Sequence, residues 1–377
     1  MVSVFSIQNI LQNSNFQEEH NEIFIYQQYE SQISFREIHF VITGLNESNQ
    51  TCHLNQNGHL VPCDVRDNNE QDHLTKNGQN YSNYLHTLKE VSEIKVPHIR
   101  SGRVYISLGS PIYLKITDNN TIVQPNTANP SDPNVDVYFD WIEFTFDDAG
   151  FHGNTTQVDQ FGFPIVMKSS GPNGSKKVGI TESRSALFDK YASNVPAPFK
   201  SLVQKPYRIV SPFKGDFDKG GSQAKYFDDY IHDVWQHYKT NKLELKIPQG
   251  TFIGKVEDNV FIFTKADSLN GKYKIHYPKS WEVFQCDGNF AEGDEIQKAI
   301  QAQVSAMFNR HIVKNPANKC KPSEFYKDAP ANFYAEFWHH HSIDNKAYGF
   351  PFDDVCEQST LIEHPNPQEL EVIINWD

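Results

Sequence analysis

The stretch DWIEFTFDDAGFHGNTTQVDQFGFP, residues 140–164, decides the fold and the candidate chemistry of this 377-residue chain. Its first part alternates as a β-strand does, with a core face of Ile142, Phe144 and Phe146 and a second face of Trp141, Glu143 and Thr145. Gly150, Gly153 and Asn154 supply turn geometry for a turn that we place at residues 147–155. The pattern therefore predicts a β-hairpin with one buried face.

Two carboxylates of this hairpin share its second face. A symmetric register about the predicted turn sets Glu143 opposite Asp159. Opposed residues have β-carbons roughly 4.5–5.5 Å apart, and a proton donor beside a base is what cleavage of a glycosidic bond requires. Trp141 offers a flat apolar surface for a sugar ring, and Thr145 and Gln157 offer a hydroxyl and an amide. The face indicates a carbohydrate site, although acidic residues also occupy solvent faces without any function.

The same residues resemble a known family. WIEFTF followed by TTQVDQFGFP is similar to glycoside hydrolase family 64, the inverting endo-β-1,3-glucanases of the laminaripentaose-producing type on a thaumatin-like scaffold. The resemblance covers roughly residues 35–376 through further blocks in the family's order: RVYISLGSPIYLKI, NPSDPNVDVYFDW, YFDDYIHDVWQHY, FQCDG and NKAYGFPFDDV. It implies hydrolysis of β-1,3-glucan with no metal or organic cofactor, and it favours an extracellular protein.

The resemblance also implies roles for individual residues. Glu143 becomes the general acid and Asp159 the general base. Taken together, the hairpin and the resemblance predict these substrate-binding residues: Trp141, Thr145, Asp147, His152, Thr156, Gln157, Tyr348, Asp353 and Asp354. The idealised register turns Thr156 to the other face, so its place rests on the resemblance alone. Two positions depart from the family pattern, with His152 where tryptophan is usual and Asp147 where asparagine is usual.

The C-terminal third carries a second acidic pair and a histidine run. Asp353 and Asp354 are either a second acidic candidate near the groove or a structural cap in a loop. His339, His340 and His341 lie at the end of a predicted helix, where successive side chains point about 100° apart and cannot converge on one metal ion. We expect one of them to line the cleft between the two predicted domains, or to form a hydrogen bond within it, near Tyr348 and the acidic pair.

Composition excludes some function classes. The net charge of −13, with no sustained Lys/Arg run, argues against nucleic acid as a partner. No stretch approaches 18 consecutive apolar residues, so no membrane span is expected. The N-terminal segment MVSVFSIQNILQNSNFQEEH lacks the basic and apolar regions of a signal peptide. A neutral polysaccharide fits these properties, and we expect a monomer.

Five cysteines leave at least one unpaired. A local bridge between Cys52 and Cys63 and a set of reduced, inert thiols are both open possibilities.

The patterning predicts a mainly β protein with an α/β part: a thaumatin-like β-barrel or sandwich domain beside a mixed α/β domain, with a wide groove between them. The predicted divisions are an N-terminal arm at 1–30, the β domain at 31–185, the α/β domain at 186–356 and a C-terminal strand at 357–377 that returns to the β domain. Helices are expected at YFDDYIHDVWQHY and at 294–312, because apolar residues there recur at helical spacing. A third helix is expected at 331–341.

Two interpretations from other functional classes are also compatible with the sequence. One is a non-catalytic β-1,3-glucan-binding thaumatin-like protein that kept the groove and lost turnover. The other is a structural or storage protein for which the two acids are incidental. The presence of both Glu143 and Asp159 favours the enzyme.

Overall fold

A computed structural model describes residues 38–268 and 271–377 in full, together with the backbone of Ser3–Phe5 and Asn21–Gln27. The chain is mainly β, with 33% strand and 24% helix, as the sequence predicts. Most of the predicted N-terminal arm lies outside the described residues. The segment Asn21–Gln27 within it forms a strand that pairs with the C-terminal strand.

The described strands are, in chain order, β1 Ser3–Phe5, β2 Asn21–Gln27, β3 Ile38–Leu45, β4 Thr51–Leu54, β5 Leu60–Pro62, β6 Leu74–Lys76, β7 Gln79–Tyr81, β8 His86–Thr87, β9 Glu93–Val96, β10 Ile99–Leu108, β11 Lys115–Ile116, β12 Ile122–Val123, β13 Tyr138–Asp147, β14 Gly150–Thr155, β15 Gln160–Phe161, β16 Ile165–Gly171, β17 Gly174–Gly179, β18 Val203–Gln204, β19 Arg208–Val210, β20 Leu243–Ile247, β21 Gly250–Glu257, β22 Val260–Lys265, β23 Tyr273–His276, β24 Ile362–His364 and β25 Glu369–Ile374.

The helices are α1 Arg184–Asn194, α2 Asp228–Thr240, α3 Ser280–Gln285, α4 Glu295–Asn309 and α5 Phe333–His341. The three predicted helices correspond to α2, α4 and α5. The start of α4 is set by Asp294, whose side chain accepts a hydrogen bond from the backbone N–H of Gln297 at 2.8 Å. Helical spacing therefore located these elements to within a few residues.

Two open sheets pack face to face and form the sandwich-like part. The eight-stranded sheet has the order β24-β14-β13-β10-β3-β4-β5, with β8 beside β3. The six-stranded sheet has the order β1-β2-β25-β16-β17, with β9 beside β2. The core between the sheets holds Ile142 and Phe144 from the first and Met167 and Val372 from the second. The predicted core face of the hairpin is confirmed, and of the two predicted forms the open sandwich is correct.

The opposite face of the eight-stranded sheet is only partly covered. A smaller cluster built on Tyr105, Phe139 and Trp141 packs there against residues 112–122. The remainder of this face stays open and carries polar side chains.

The third and largest core cluster runs from Phe161 to Val355. It joins the five helices to the four-stranded sheet β20-β21-β22-β23. The separate cores of the sandwich and of the helical region agree with a β part and an α/β part. The predicted domain boundaries stay predictions.

The cysteines differ from one of the two expectations. Cys320 and Cys356 form a disulfide across 36 positions, whereas Cys52, Cys63 and Cys286 are free and buried. A local Cys52–Cys63 bridge is therefore wrong. Burial raises the pKa of Cys63 to about 12, which keeps it an inert thiol near neutral pH.

None of the helices in residues 38–268 and 271–377 has the length and apolarity that a bilayer crossing requires.

Candidate active site

Glu143 lies on the open face of the eight-stranded sheet, on β13, the third strand from the β24 edge. Its strand β13 is paired with β14 on one side and with β10 on the other. Residues that face each other across consecutive strands form a polar row that runs over five strands: Asn154, Glu143, Arg103, Thr43 and His53. The alternation of β13 thus delivers Glu143 to a surface where other polar side chains gather.

Arg103 is the main partner of Glu143. Its guanidinium Nη2 lies 2.8 Å from Glu143 Oε1, and both side chains are about one-third exposed, at 30% and 31%. The Nη1 group of Arg103 donates to Gln124 Oε1 at 2.7 Å and to the Tyr105 hydroxyl at 3.1 Å. Trp141 Nε1 donates to Glu143 Oε1 at 3.4 Å. Glu143 is therefore oriented from beneath and from the side, with its remaining surface facing the groove.

Asp159 follows β14 and is held by a separate element. Lys214, in a short 3-10 turn after β19, places its ammonium 3.4 Å from Asp159 Oδ1. The backbone N–H of Ser211 donates to the carbonyl of Asp159 at 3.0 Å. The carboxylate stays about one-third exposed. Each candidate acid therefore has its own cation.

The predicted register of the hairpin is wrong. Glu143 is paired with Asn154, not with Asp159, because β13 and β14 are joined by the tight turn Asp148-Ala149. Gly150 closes this turn with a φ of 107°, and a β-carbon there would lie 2.4 Å from the carbonyl oxygen of His364 on β24. Asp159 consequently lies beyond the end of the ladder.

The two carboxylates nevertheless act on one guanidinium. Burial lowers the pKa of Arg103, but the fields of Tyr105, Glu143 and Asp159 outweigh it, and the pKa of Arg103 is raised. Both carboxylates contribute to that rise, as they do for Tyr105, whose pKa is raised first by burial. The field of Asp159 thus reaches Arg103, the partner of Glu143, although the two carboxylates are not paired across the strands.

A groove crosses the sheet at this point. A cavity of about 440 Å³ lies over β10, β13 and β14, lined by Ser101, Gly102, Arg103, Glu143, Phe144, Thr145, His152, Asn154 and Leu361. A second cavity of about 270 Å³ shares Ser101 and Arg103 with the first and extends over β3 to Thr121 and Gln124. Because Arg103 lies at their junction, the two cavities form one groove past Glu143.

Comparison with known proteins identifies the family of this chain. The family model described as beta-1,3-glucanase, glycoside hydrolase family 64, matches residues 26–374. The chain belongs to glycoside hydrolase family 64.

Relatives and solved structures of the family are similar to this chain over most of its length. A glucan endo-1,3-beta-glucosidase of Cellulosimicrobium cellulans is 30% identical over 287 residues, which is 73% of this chain and 52% of the relative. The chain thus spans about half the length of the curated relatives that it matches. The beta-1,3-glucanase domain of Clostridium beijerinckii is 39% identical, with a TM-score of 0.88 over 92% of this chain and 95% of that one. The laminaripentaose-producing beta-1,3-glucanase of Paenibacillus barengoltzii, solved with laminarihexaose, is 30% identical, with a TM-score of 0.73 over 98% and 93%.

Of the predicted family groove residues, Thr145 and His152 line the larger cavity. Thr145 also accepts a hydrogen bond from the backbone N–H of Ser101 at 3.3 Å. His152 Nδ1 lies 3.7 Å from Glu363 on the neighbouring strand β24. Both positions suit contacts to a bound chain.

Trp141 takes a different place from the predicted one. It is 5% exposed, and its ring packs against Tyr105 and Phe139 beneath the guanidinium of Arg103. The expectation of an open flat surface is therefore wrong, because the indole supports Glu143 from below.

Three further predicted residues lie away from the larger cavity. Asp147 ends β13, accepts from the backbone N–H of Ala149 and lines a separate cavity of about 130 Å³. Thr156 and Gln157 are buried. The backbone of Gln157 bonds to the carbonyl of Tyr348 and to the Tyr334 hydroxyl at 2.9 and 2.6 Å, so this segment anchors the chain just ahead of Asp159.

The second acidic pair divides between two environments. Asp353 is fully buried, with Arg310 and His339 each 3.0 Å from its oxygens and the N–H of Gly349 at 2.9 Å. Burial acts to raise the pKa of Asp353, but His339, Arg310 and the Gly349 N–H outweigh it and hold the pKa below its usual value. The structural interpretation applies to Asp353, and the expected histidine contact is confirmed for His339. Asp354 is exposed and lines none of the cavities described above.

Tyr348 is half-buried and lines neither of the two cavities of the groove. Its hydroxyl donates to the carbonyl of Pro351 at 3.0 Å. Burial raises its pKa, with smaller contributions from Asp354 and Glu143.

Three residues around Glu143 are not predicted from the sequence patterns: Arg103, Gln124 and Asn154. Arg103 belongs to a block already noted for its likeness to the family, and its period-2 spacing from Tyr105 on β10 could have indicated a shared face. No local signal reveals that β10 pairs with β13.

Proposed function

We propose that this chain is an endo-β-1,3-glucanase that hydrolyses β-1,3-glucan with inversion, with Glu143 as general acid and Asp159 as general base. The observation that carries the proposal is that Glu143, paired with Arg103 at 2.8 Å, lines an open groove in a chain of this family. The carboxylate of Asp159 lies beyond the end of the same β13–β14 hairpin. Each carboxylate is about one-third exposed, so each can meet substrate and solvent.

The proposed chemistry divides the work between two faces of the sugar. Glu143 protonates the leaving glycosidic oxygen, and Asp159 removes a proton from a water that attacks the anomeric carbon from the opposite side. An inverting pair needs a gap of roughly 6.5–9.5 Å between carboxyl groups to admit that water. The displacement of Asp159 beyond the β13–β14 ladder supports a gap wider than direct pairing would leave.

Substrate contacts follow from the groove lining. We assign Thr145 and His152, with Ser101, Asn154 and Leu361, to contacts with a glucan chain that runs past Glu143. The protein is expected to act as a monomer and without a cofactor.

Reducing-sugar release from laminarin tests the proposal. Glu143→Gln and Asp159→Asn should each lower kcat at least about a hundredfold while the fold is retained, because general acid–base catalysis contributes about that much or more. A folded variant of either kind with near-normal hydrolysis would defeat the assignment. An inactive wild-type chain that still binds laminarin would favour the non-catalytic binding protein, and one that does neither would favour a structural role.

The stereochemistry is tested in the same reaction. Proton NMR during the first minutes of hydrolysis should show fresh α-anomer from the β-linked substrate. Fresh β-anomer would make Asp159 a nucleophile and overturn the inverting mechanism.

A further inference from the structure

Asp140 is a buried carboxylate on the strand that carries Glu143, three residues earlier in the chain. The residue is only 2% exposed, and the alternation of β13 places it on the face opposite to that of Glu143. Oδ1 accepts a hydrogen bond from the N–H of Trp141 at 2.9 Å, and Oδ2 accepts from Gly162 at 2.8 Å and Phe163 at 3.4 Å. One side chain therefore connects β13 to the backbone that follows Asp159.

The register of the hairpin explains why such a connection is needed. The pairing of β13 with β14 ends at Ile142 and Thr155. Strand β15, which follows Asp159 directly, pairs with β19. The position of Asp159 relative to Glu143 therefore depends on side-chain contacts across this junction.

The segment after Asp159 fits closely against β13. A β-carbon on Gly162 would lie 2.3 Å from the carbonyl oxygen of Phe139, so only glycine allows this approach. The amide of Gln160 donates to the same carbonyl at 2.9 Å, and Arg184 donates to the carbonyl of Gly162 at 2.6 Å. Contacts on both sides fix the segment to within a narrow range of positions.

We propose that Asp140 is a positioning residue of the hydrolase site: by joining β13 to the backbone of Gly162 and Phe163, it sets the separation of Glu143 and Asp159. The inference rests on the proposed function. A gap that must admit one water and one sugar tolerates little error, and a displacement of about 1 Å can cost a hundredfold in rate.

The charge state of Asp140 agrees with this role. Burial raises the pKa of Asp140 to about 7, against the opposing effect of the three N–H donors and of Arg208. Arg184 and Tyr334 also interact electrostatically with the Asp140 side chain. The ionised form, which can accept all three hydrogen bonds, therefore predominates above pH 7.

The test is Asp140→Asn, which preserves shape but places an NH₂ group against one of the N–H donors. Above pH 7, kcat on laminarin should fall at least tenfold while KM stays within about twofold, because the groove lining is untouched. The matched control is Asn68→Asp, which makes the reverse exchange at a buried side chain with three hydrogen bonds to Val65 and Ile116, away from the segment after Asp159. The control should retain the wild-type kcat below its unfolding temperature.

Hydrogen exchange separates this inference from the proposed function. In Asp140→Asn, peptides that cover residues 156–165 should exchange at least tenfold faster than in the wild type, and in Asn68→Asp they should not. This readout needs no activity, so an inactive wild-type enzyme would overturn the function and leave the positioning test intact. Unchanged exchange or unchanged kcat in Asp140→Asn, or an equal loss of kcat in Asn68→Asp, would overturn the positioning role.

Discussion

Two arginine–carboxylate pairs of similar geometry have opposite surroundings. Arg103 and Glu143 are 2.8 Å apart and about one-third exposed at the junction of a groove. Arg310 and Asp353 are 3.0 Å apart and fully buried, and the guanidinium also donates to the backbone carbonyls of Asp353 and Val355. The Arg103–Glu143 pair leaves carboxylate surface accessible to a substrate. In the Arg310–Asp353 pair, both carboxylate oxygens are hydrogen-bonded within the protein. Exposure at the groove, and not the arginine contact itself, distinguishes Glu143 as a candidate catalytic residue.

The largest expected effect is on the buried pair. Asp353→Asn leaves Arg310 buried without a counter-charge, which should lower the free energy of unfolding by about 3–5 kcal/mol. Urea denaturation measures this, and Glu143→Gln serves as the exposed counterpart, with an expected change within about 1 kcal/mol. Equal losses in the two variants would remove the distinction between the pairs.

Local periodicity predicted the parts of the fold that depend on local sequence. Ile142, Phe144 and Phe146 face the core as their alternation indicates, and α2 and α4 lie where apolar spacing predicts. The hairpin register failed because Gly150 meets the backbone of His364, more than 200 positions away in the chain. Likewise, nothing local to Glu143 reveals Arg103, and nothing local to Asp353 reveals Arg310.

The candidate site shows the same limit. The two acids were found from residue type and family likeness, but their cations Arg103 and Lys214 belong to other elements. Trp141 was misplaced because the strand pattern gives its face but not what covers that face. Only packing between β10, β13 and residues 112–122 decides its burial.

Stability should depend on pH through His53, the half-buried residue at the β4 end of the polar row. Burial lowers the pKa of His53 to about 4, despite the opposing field of Asp67. Because this pKa lies below the unfolded value of about 6.5, the stability due to neutral His53 is complete above pH 6.5 and is lost as pH falls towards 4. The loss amounts to about 3 kcal/mol.

His53→Phe keeps a ring stacked on Tyr84, whose centroid is 3.7 Å from that of His53, but cannot titrate. Lowering the pH from 7.5 to 4 should therefore reduce the free energy of unfolding of the wild type by about 3 kcal/mol more than that of the variant. The exposed His59→Phe provides the control. If the difference in unfolding free energy between wild type and variant does not depend on pH, folding leaves the ionisation of His53 unchanged.

The third prediction concerns Arg103 itself. Arg103→Met removes the 2.8 Å contact to Glu143 and the link to Gln124, so kcat should fall about tenfold to a hundredfold through misorientation of the acid. Stability should change by less than about 1 kcal/mol, as is usual for a partly exposed pair. Lys168→Met, which breaks the pair with Glu371 on the other sheet, should leave kcat unchanged. A stability loss as large as that of Asp353→Asn would show that both arginines are structural.

The smallest effect tests how open the groove is at its edge. His152 lines the larger cavity and is about one-third exposed, with Glu363 3.7 Å away across the strand pair. His152→Trp adds a broad apolar ring at this rim, and aromatic contacts of this kind contribute about 1 kcal/mol, while the exposed contact to Glu363 contributes little. Binding of laminarihexaose should tighten about fivefold. Calorimetry in the Glu143→Gln background separates binding from turnover, and His59→Trp adds the same ring at an exposed site outside the cavity lining. Unchanged or weaker binding by His152→Trp would mean that the imidazole makes its own sugar contact, or that substrate does not reach the β14 edge of the sheet.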